Sequence, residues 1–223
     1  MYVSRYMTPN PITVRPDILI PEARQLLRSH HFRHLPVTGA DGRLVGMVTD
    51  RDIRSAYPST ILSDAEGKKE LERVAKTPVS RIMSPDPVSL YPHSTLDDAL
   101  VILQKQNVGA LPVVDEERVV AGVFSIRDLM RAYSELFGLG ERGSRLVAIE
   151  DDGGAALLER IVKVLEAGEI PFTRLVKASE SPDGKSQGAV FVRVQTCNMT
   201  KIRNAFEAAG LKLAGLGAPA ARV

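Results

Sequence analysis

The segment Val3 to Pro16, VSRYMTPNPITVRP, returns 76 positions later without a gap as VSRIMSPDPVSLYP, Val79 to Pro92. Working outward, the register persists: Ala23, Leu27, Leu35, Pro36, Val37, Gly46, Arg51 and Asp52 meet Ala99, Leu103, Leu111, Pro112, Val113, Gly122, Arg127 and Asp128. Identities held at one offset over so long a run mark an internal duplication.

Each copy opens with a Pro-studded extended stretch and continues into a one-sided helix, apolar at Ala23, Leu26 and Leu27 or at Leu96, Ala99, Leu100 and Leu103. Pro21 suits a helix's first turn, and Thr95 with Asp98 has the spacing of a capping box. Two short apolar runs around a polar turn then predict a hairpin: Leu35–Val37 with Leu44–Val48, and Leu111–Val114 with Val119–Phe124. A last helix near Asp52 or Asp128 completes a β-α-β-β-α unit too small to cover its own sheet, so the copies are expected to pack together. Repeat 1 is placed at 1–57 and repeat 2 at 79–135. The insertion between them, 58–78, contains the charged helical stretch AEGKKELERVAK, either a solvated spacer or a partner-binding helix.

Composition narrows the function classes. Of 223 residues, 44% are hydrophobic and 25% charged, as in ordinary globular proteins. The 29 basic and 27 acidic residues leave a net charge of only +2, with no basic block for nucleic acid or an anionic membrane. Trp is absent and aromatics are 5%, which argues against a single-strand stacking platform. The single Cys197 offers neither a disulfide nor a Cys-rich metal site, and the chain shows no signal peptide and no apolar run of about 18 residues, so a cytoplasmic location is expected. His30 and His34 lie four apart, but no Cys or nearby carboxylate completes a metal set, and no metal is expected.

The chemistry-bearing signal lies at the end of each hairpin, in Gly46-Met47-Val48-Thr49-Asp50-Arg51-Asp52 and Gly122-Val123-Phe124-Ser125-Ile126-Arg127-Asp128. A strand ending in Thr49 or Ser125 delivers a hydroxyl and free amides at a helix start, where anions are favoured. A carboxylate three residues on, Asp52 or Asp128, can accept from the vicinal hydroxyls of a ribose. The competing reading makes both aspartates simple helix caps. Arg33-His34, beside the Leu35–Val37 strand, favours a phosphate-bearing ligand.

These motifs resemble CBS domains, and the pair resembles a Bateman module. The resemblance implies an adenine nucleotide (AMP, ADP or ATP) or S-adenosylmethionine as regulatory ligand, held between ribose carboxylate on one repeat and backbone and phosphate contacts on the other. Carried over, it places Asp128 and Ser125 opposite Pro11, Ile12, Arg33 and His34, and this cleft is expected to carry the stronger phosphate site. A second cleft would pair Asp52 and Thr49 with Pro87, Val88, Gly109 and Ala110, either empty, adenosine-selective, or helped by Arg51 and Arg127.

After a Gly-rich linker at 136–145, the tail 146–223 reads strand Leu146–Ile149, helix Ala155–Ala167, strand Phe172–Lys177, turn Ser181–Lys185, strand Ala189–Gln195, helix Met199–Ala209 and strand Leu211–Ala214. This β-α-β-β-α-β order is ferredoxin-like and resembles an ACT domain, giving an overall α+β class. The resemblance implies an amino-acid site at Asp151, Asp152, Gly153 and Gly154, although the family's Asp-x-Pro-Gly turn lacks its proline here, and the glycines serve a tight turn equally well. CBS pair, insertion, tail, TDRDI (49–53) and FVRVQTCN (191–198) together resemble the acetoin utilization protein B family. The expected function is a homodimeric, non-enzymatic ligand sensor; an enzyme or accessory protein of acetoin or acyl metabolism and a nucleotide-independent dimeric scaffold are the alternatives.

Overall fold

Short apolar runs cut by proline and hydroxyl caps make the duplicated region a series of brief elements. A 3-10 turn at Val3–Arg5 leads to β1 (Thr8–Pro9), α1 (Ile20–Ser29), β2 (His34–Thr38), β3 (Leu44–Thr49) and α2 (Asp50–Ala56). After α3 (Asp64–Ala75) the second copy repeats the order: a turn at Val79–Arg81, β4 (Ser84–Pro85), α4 (Leu96–Gln106), β5 (Ala110–Val114), β6 (Val120–Ser125) and α5 (Ile126–Leu136). The structure, a computed structural model, describes residues 1–58, 64–179 and 188–214, and divides into Met1–Ala132 and Tyr133–Val223.

In the first unit the opening strand of each copy pairs with the other copy's sheet. β1 runs antiparallel to β6, with Pro9 opposite Gly122; β4 runs antiparallel to β3, with Pro85 opposite Gly46. The resulting orders are β1-β6-β5 and β2-β3-β4. Beyond this exchange each segment returns to its own hairpin, where Val14 N donates to Pro36 O at 3.0 Å and Thr38 N to Val14 O at 2.8 Å. The exchange explains the two glycines. A Cβ on Gly46 would sit 2.5 Å from Met83 Sδ, and one on Gly122 would sit 2.6 Å from Met7 Sδ.

The core of the first copy joins Ile20, Ala23, Leu27, Leu35, Val37, Val48 and Ile53 with Val79, which opens the second copy. It also takes in Val74, so α3 is tied to this core, while Leu71 on the same helix stays exposed. Burying one such side chain is worth about 1.5–3 kcal/mol, enough to seat a helix that is otherwise charged. Residues 59–63 of the insertion lie outside the described residues.

The second unit contains β7 (Arg145–Glu150), α6 (Leu157–Ala167), β8 (Phe172–Ala178), β9 (Ala189–Val194), α7 (Met199–Ala208) and β10 (Leu213–Ala214). Its antiparallel sheet has the order β10-β7-β9-β8, the ferredoxin-like arrangement. Val147, Ile149, Val190, Val192 and Val194 meet Leu157, Ile161, Leu165, Ile202 and Phe206 of the helices in one core. The segment read as a linker, 136–145, is held by side chains of this unit. Arg193 is buried and donates from Nε to Phe137 O at 2.6 Å, and Arg174 Nε donates to Leu136 O at 2.7 Å. The expected turn Ser181–Lys185 lies outside the described residues.

Candidate functional site

The antiparallel register of β2 with β3 sets His34 opposite Thr49, and that of β5 with β6 sets Ala110 opposite Ser125. The strand-to-helix turns therefore lie beside the residue pairs 33–34 and 109–110 of their own repeats. Arg33 O accepts from Asp50 N, and Gly109 O accepts from Ile126 N, each at 3.0 Å.

At both turns the aspartate closes a capping box. Asp52 Oδ2 accepts from Thr49 N at 2.8 Å and from Thr49 Oγ1 at 2.7 Å, while Asp52 N donates back to Thr49 Oγ1 at 3.2 Å. Asp128 Oδ2 accepts from Ser125 N at 2.9 Å and from Ser125 Oγ at 2.7 Å. Thr95 and Asp98 make the same box at the start of α4. There the hydroxyl and then the amide of Thr95 hold the Asp98 carboxyl below its usual pKa. Capping and ligand binding are thus not exclusive roles, because a carboxylate has two oxygens and the box uses one.

A cavity of about 750 Å³ opens at the Asp52 turn, within the size range of small-molecule sites. Thr49, Arg51, Asp52, Arg33 and His34 of the first repeat line it, together with Pro87, Val88, Gly109 and Ala110 of the second. The CBS resemblance implies Arg33 and His34 opposite Asp128; the structure places both along the cavity that holds Asp52. Hairpin register is the reason, since it puts His34 next to Thr49. His34 also reaches the other repeat, its Nε2 lying 3.3 Å from where a Cβ on Gly109 would be. Burial and then the Arg33 guanidinium push the His34 pKa below its ordinary value, with Asp52 opposing.

Arg54, Asp50 and Asp86, not singled out from the sequence, also line the cavity. Arg54 pairs with Asp50 at 2.9 Å, and Asp86 pairs with Arg118 at 2.6 Å. Arg33 and Arg51 form no ion pair among the described residues, so two guanidinium groups on the wall have no carboxylate within salt-bridge distance. The i,i+4 spacing of Asp50 and Arg54 was the available signal for their pairing; Asp86 and Arg118 meet only through the fold.

The remaining residues lie elsewhere. Ile12 packs on the first repeat's core, Pro11 is half-buried, and Arg127 is exposed at the start of α5. In the second unit Asp151 Oδ1 accepts from Gly153 N at 3.0 Å, and Asp152 Oδ1 accepts from Gly154 N at 2.9 Å. Lys177 and then the Gly153 amide lower the Asp151 pKa; the Gly154 amide and then Arg160 lower that of Asp152. The turn therefore satisfies its own two glycine amides.

Two duplicated sheets exchanging their opening strands, with a hydroxyl–carboxylate turn on each, match the CBS-domain family over residues 3–59 and 79–135. This chain belongs to the CBS-domain family. The CBS pair is similar to a CBS domain-containing protein of Dictyostelium discoideum, 32% identical over 128 residues, covering 57% of this chain and 88% of that protein. It is also similar to the inosine-5'-monophosphate dehydrogenase of Aquifex aeolicus, 29% identical over 161 residues. That match covers 71% of this chain but only 30% of the dehydrogenase, and it runs through the CBS domains. Among solved structures, CBSX2 in complex with AMP is 27% identical with a TM-score of 0.51, covering 61% of this chain and 98% of CBSX2. The CBS pair of MJ0100 in complex with 5'-methylthioadenosine and S-adenosyl-L-methionine gives the same identity, TM-score and coverage. The AcuB protein of Vibrio cholerae is 26% identical with a TM-score of 0.52, covering 63% of this chain and 96% of that one. No helix among the described residues is long and apolar enough to cross a membrane.

Proposed function

We propose that the CBS pair is a regulatory module that binds an adenosine ligand in the cavity beside Asp52, and that the ligand carries phosphate. The observation that carries this reading is the cavity wall itself. A capping carboxylate with one free oxygen stands across from backbone of the other repeat, and two unpaired guanidinium groups share the wall. Asp52 suits a ribose diol, Gly109 and Ala110 offer close backbone approach, and Arg33 and Arg51 suit phosphate oxygens. The AMP complex of CBSX2 and the adenosine ligands of MJ0100 support an adenosine ligand. The arginine pair favours AMP, ADP or ATP over cationic S-adenosylmethionine.

In this reading the second unit is an ACT-like domain and receives the ligand signal, either directly or through a partner, within a homodimer. The ferredoxin-like sheet supports the ACT assignment. Control of this kind requires different affinity for two states, since equal binding shifts nothing. Isothermal titration of the full chain with AMP, ADP, ATP and S-adenosylmethionine tests the reading. Binding of at least one phosphorylated nucleoside more tightly than S-adenosylmethionine is expected; no heat from any of the four at millimolar concentration would overturn it.

A further inference from the structure

The two half-sites share a capping box but differ in the neighbouring pair, Arg33-His34 against Gly109-Ala110, and in the second carboxylate oxygen. Asp52 Oδ1 has no hydrogen-bond partner among the described residues, whereas Asp128 Oδ1 accepts from Arg131 Nη2 at 3.1 Å. The same Arg131 nitrogen donates to Tyr6 O at 2.5 Å. Tyr6 follows the opening turn of the first repeat and precedes β1, the strand that pairs with β6. The guanidinium is therefore fixed from two sides, by the carboxylate it neutralises and by a carbonyl of the exchanged segment. At the matching place in the first repeat, 76 positions earlier, stands Ser55, whose short side chain cannot make this bridge.

We propose that Arg131 closes the Asp128 half-site, so that each chain takes one nucleoside ligand, at Asp52. The proposal rests on the adenosine-binding reading above and adds how many ligands bind and which residue decides it. A ribose needs a carboxylate with acceptor capacity for two vicinal hydroxyls. Asp52 has that capacity, while Asp128 has one oxygen in its cap and the other on Arg131. A ribose entering at Asp128 must displace a charge-assisted bond that is tethered at its far end. Arg131's side chain is 56% exposed and Asp128's only 13%, so solvent screens the pair in part. The closure is therefore graded: a nucleoside at Asp128 binds at least about tenfold more weakly than at Asp52, so that half-site stays unfilled at AMP concentrations that just saturate Asp52.

The test is isothermal titration of the full chain with AMP, with thermal melting to verify that each variant is folded. The wild type is expected to bind one AMP per chain and Asp52→Ala to lose it. Arg131→Ser, which restores the first repeat's residue, and Arg131→Gln, which keeps bulk without charge, are each expected to show a second AMP per chain. Folded Arg131 variants that stay at one AMP would overturn the proposal. So would a wild type that binds two, reduced to one by Asp128→Ala, as expected if Arg131 turned toward a ligand phosphate. Two sites in the wild type sink the closure alone; absence of AMP binding in wild type and both Arg131 variants sinks the AMP-binding reading with it.

Discussion

Replacing Asp52 by alanine removes a helix cap and a ligand group together, and the two losses separate by measurement. The cap is the pair of bonds that Asp52 Oδ2 accepts from Thr49, at 2.8 and 2.7 Å. Losing a box of this kind costs about 1 kcal/mol, or roughly 3–5 °C of melting temperature for a unit of this size. The ligand term is separate. At a hundredfold excess over Kd, a bound nucleotide stabilises the folded state by about 2.7 kcal/mol, roughly 10 °C. Asp98→Ala is the control, because Asp98 makes the same box with Thr95 at an exposed helix start and lines no part of the cavity. Differential scanning fluorimetry with and without AMP is the assay. Asp98→Ala should melt lower in the free state and keep the full AMP shift, whereas Asp52→Ala should melt lower and lose it. An Asp52→Ala protein that keeps the wild-type AMP shift would refute the assignment of Asp52 as a ligand group and leave it a cap alone.

Three more measurements bear on the first unit. Burial and Arg33 depress the His34 pKa, so its folded value lies below the unfolded value of 6.5. The associated stability is present above pH 6.5 and is lost as pH falls through the folded value. His34→Gln should flatten the acid side of the melting-temperature profile, and an unchanged slope would count against the burial of His34. AMP beside His34 should raise its pKa, seen in titration as proton uptake in slightly acidic buffers of different ionisation enthalpy. Gly46→Ala places a Cβ 2.5 Å from Met83 Sδ and should destabilise the protein by about 1–3 kcal/mol in urea titration. Met83→Ala should offset part of that loss; equal effects in both backgrounds would show that the methionine is not what excludes the side chain.

The duplication, the β-α-β-β-α order of each copy and the ferredoxin-like order of the tail are local or periodic properties, and they could be read along the chain. Hydrophobic spacing, proline placement and capping pairs act within a few residues, so Pro21, Thr95 and the hairpin ends lie where those rules put them. The Thr49–Asp52 and Ser125–Asp128 boxes belong to the same class. Three features were decided by the tertiary structure. The exchange of β1 and β4 between sheets puts Val79 into the first repeat's core and Met83 on Gly46, pairings no local rule encodes. Packing of the two copies sets Pro87, Val88, Gly109 and Ala110 on the cavity with Arg33, His34 and Asp52. Arg131 meets Tyr6 O across 125 positions of sequence. Sequence spacing reports which groups can share one turn, the i,i+3 pair of Asp128 and Arg131 included; what holds that guanidinium in place is a distant carbonyl, Tyr6 O, and only the folded chain brings it there.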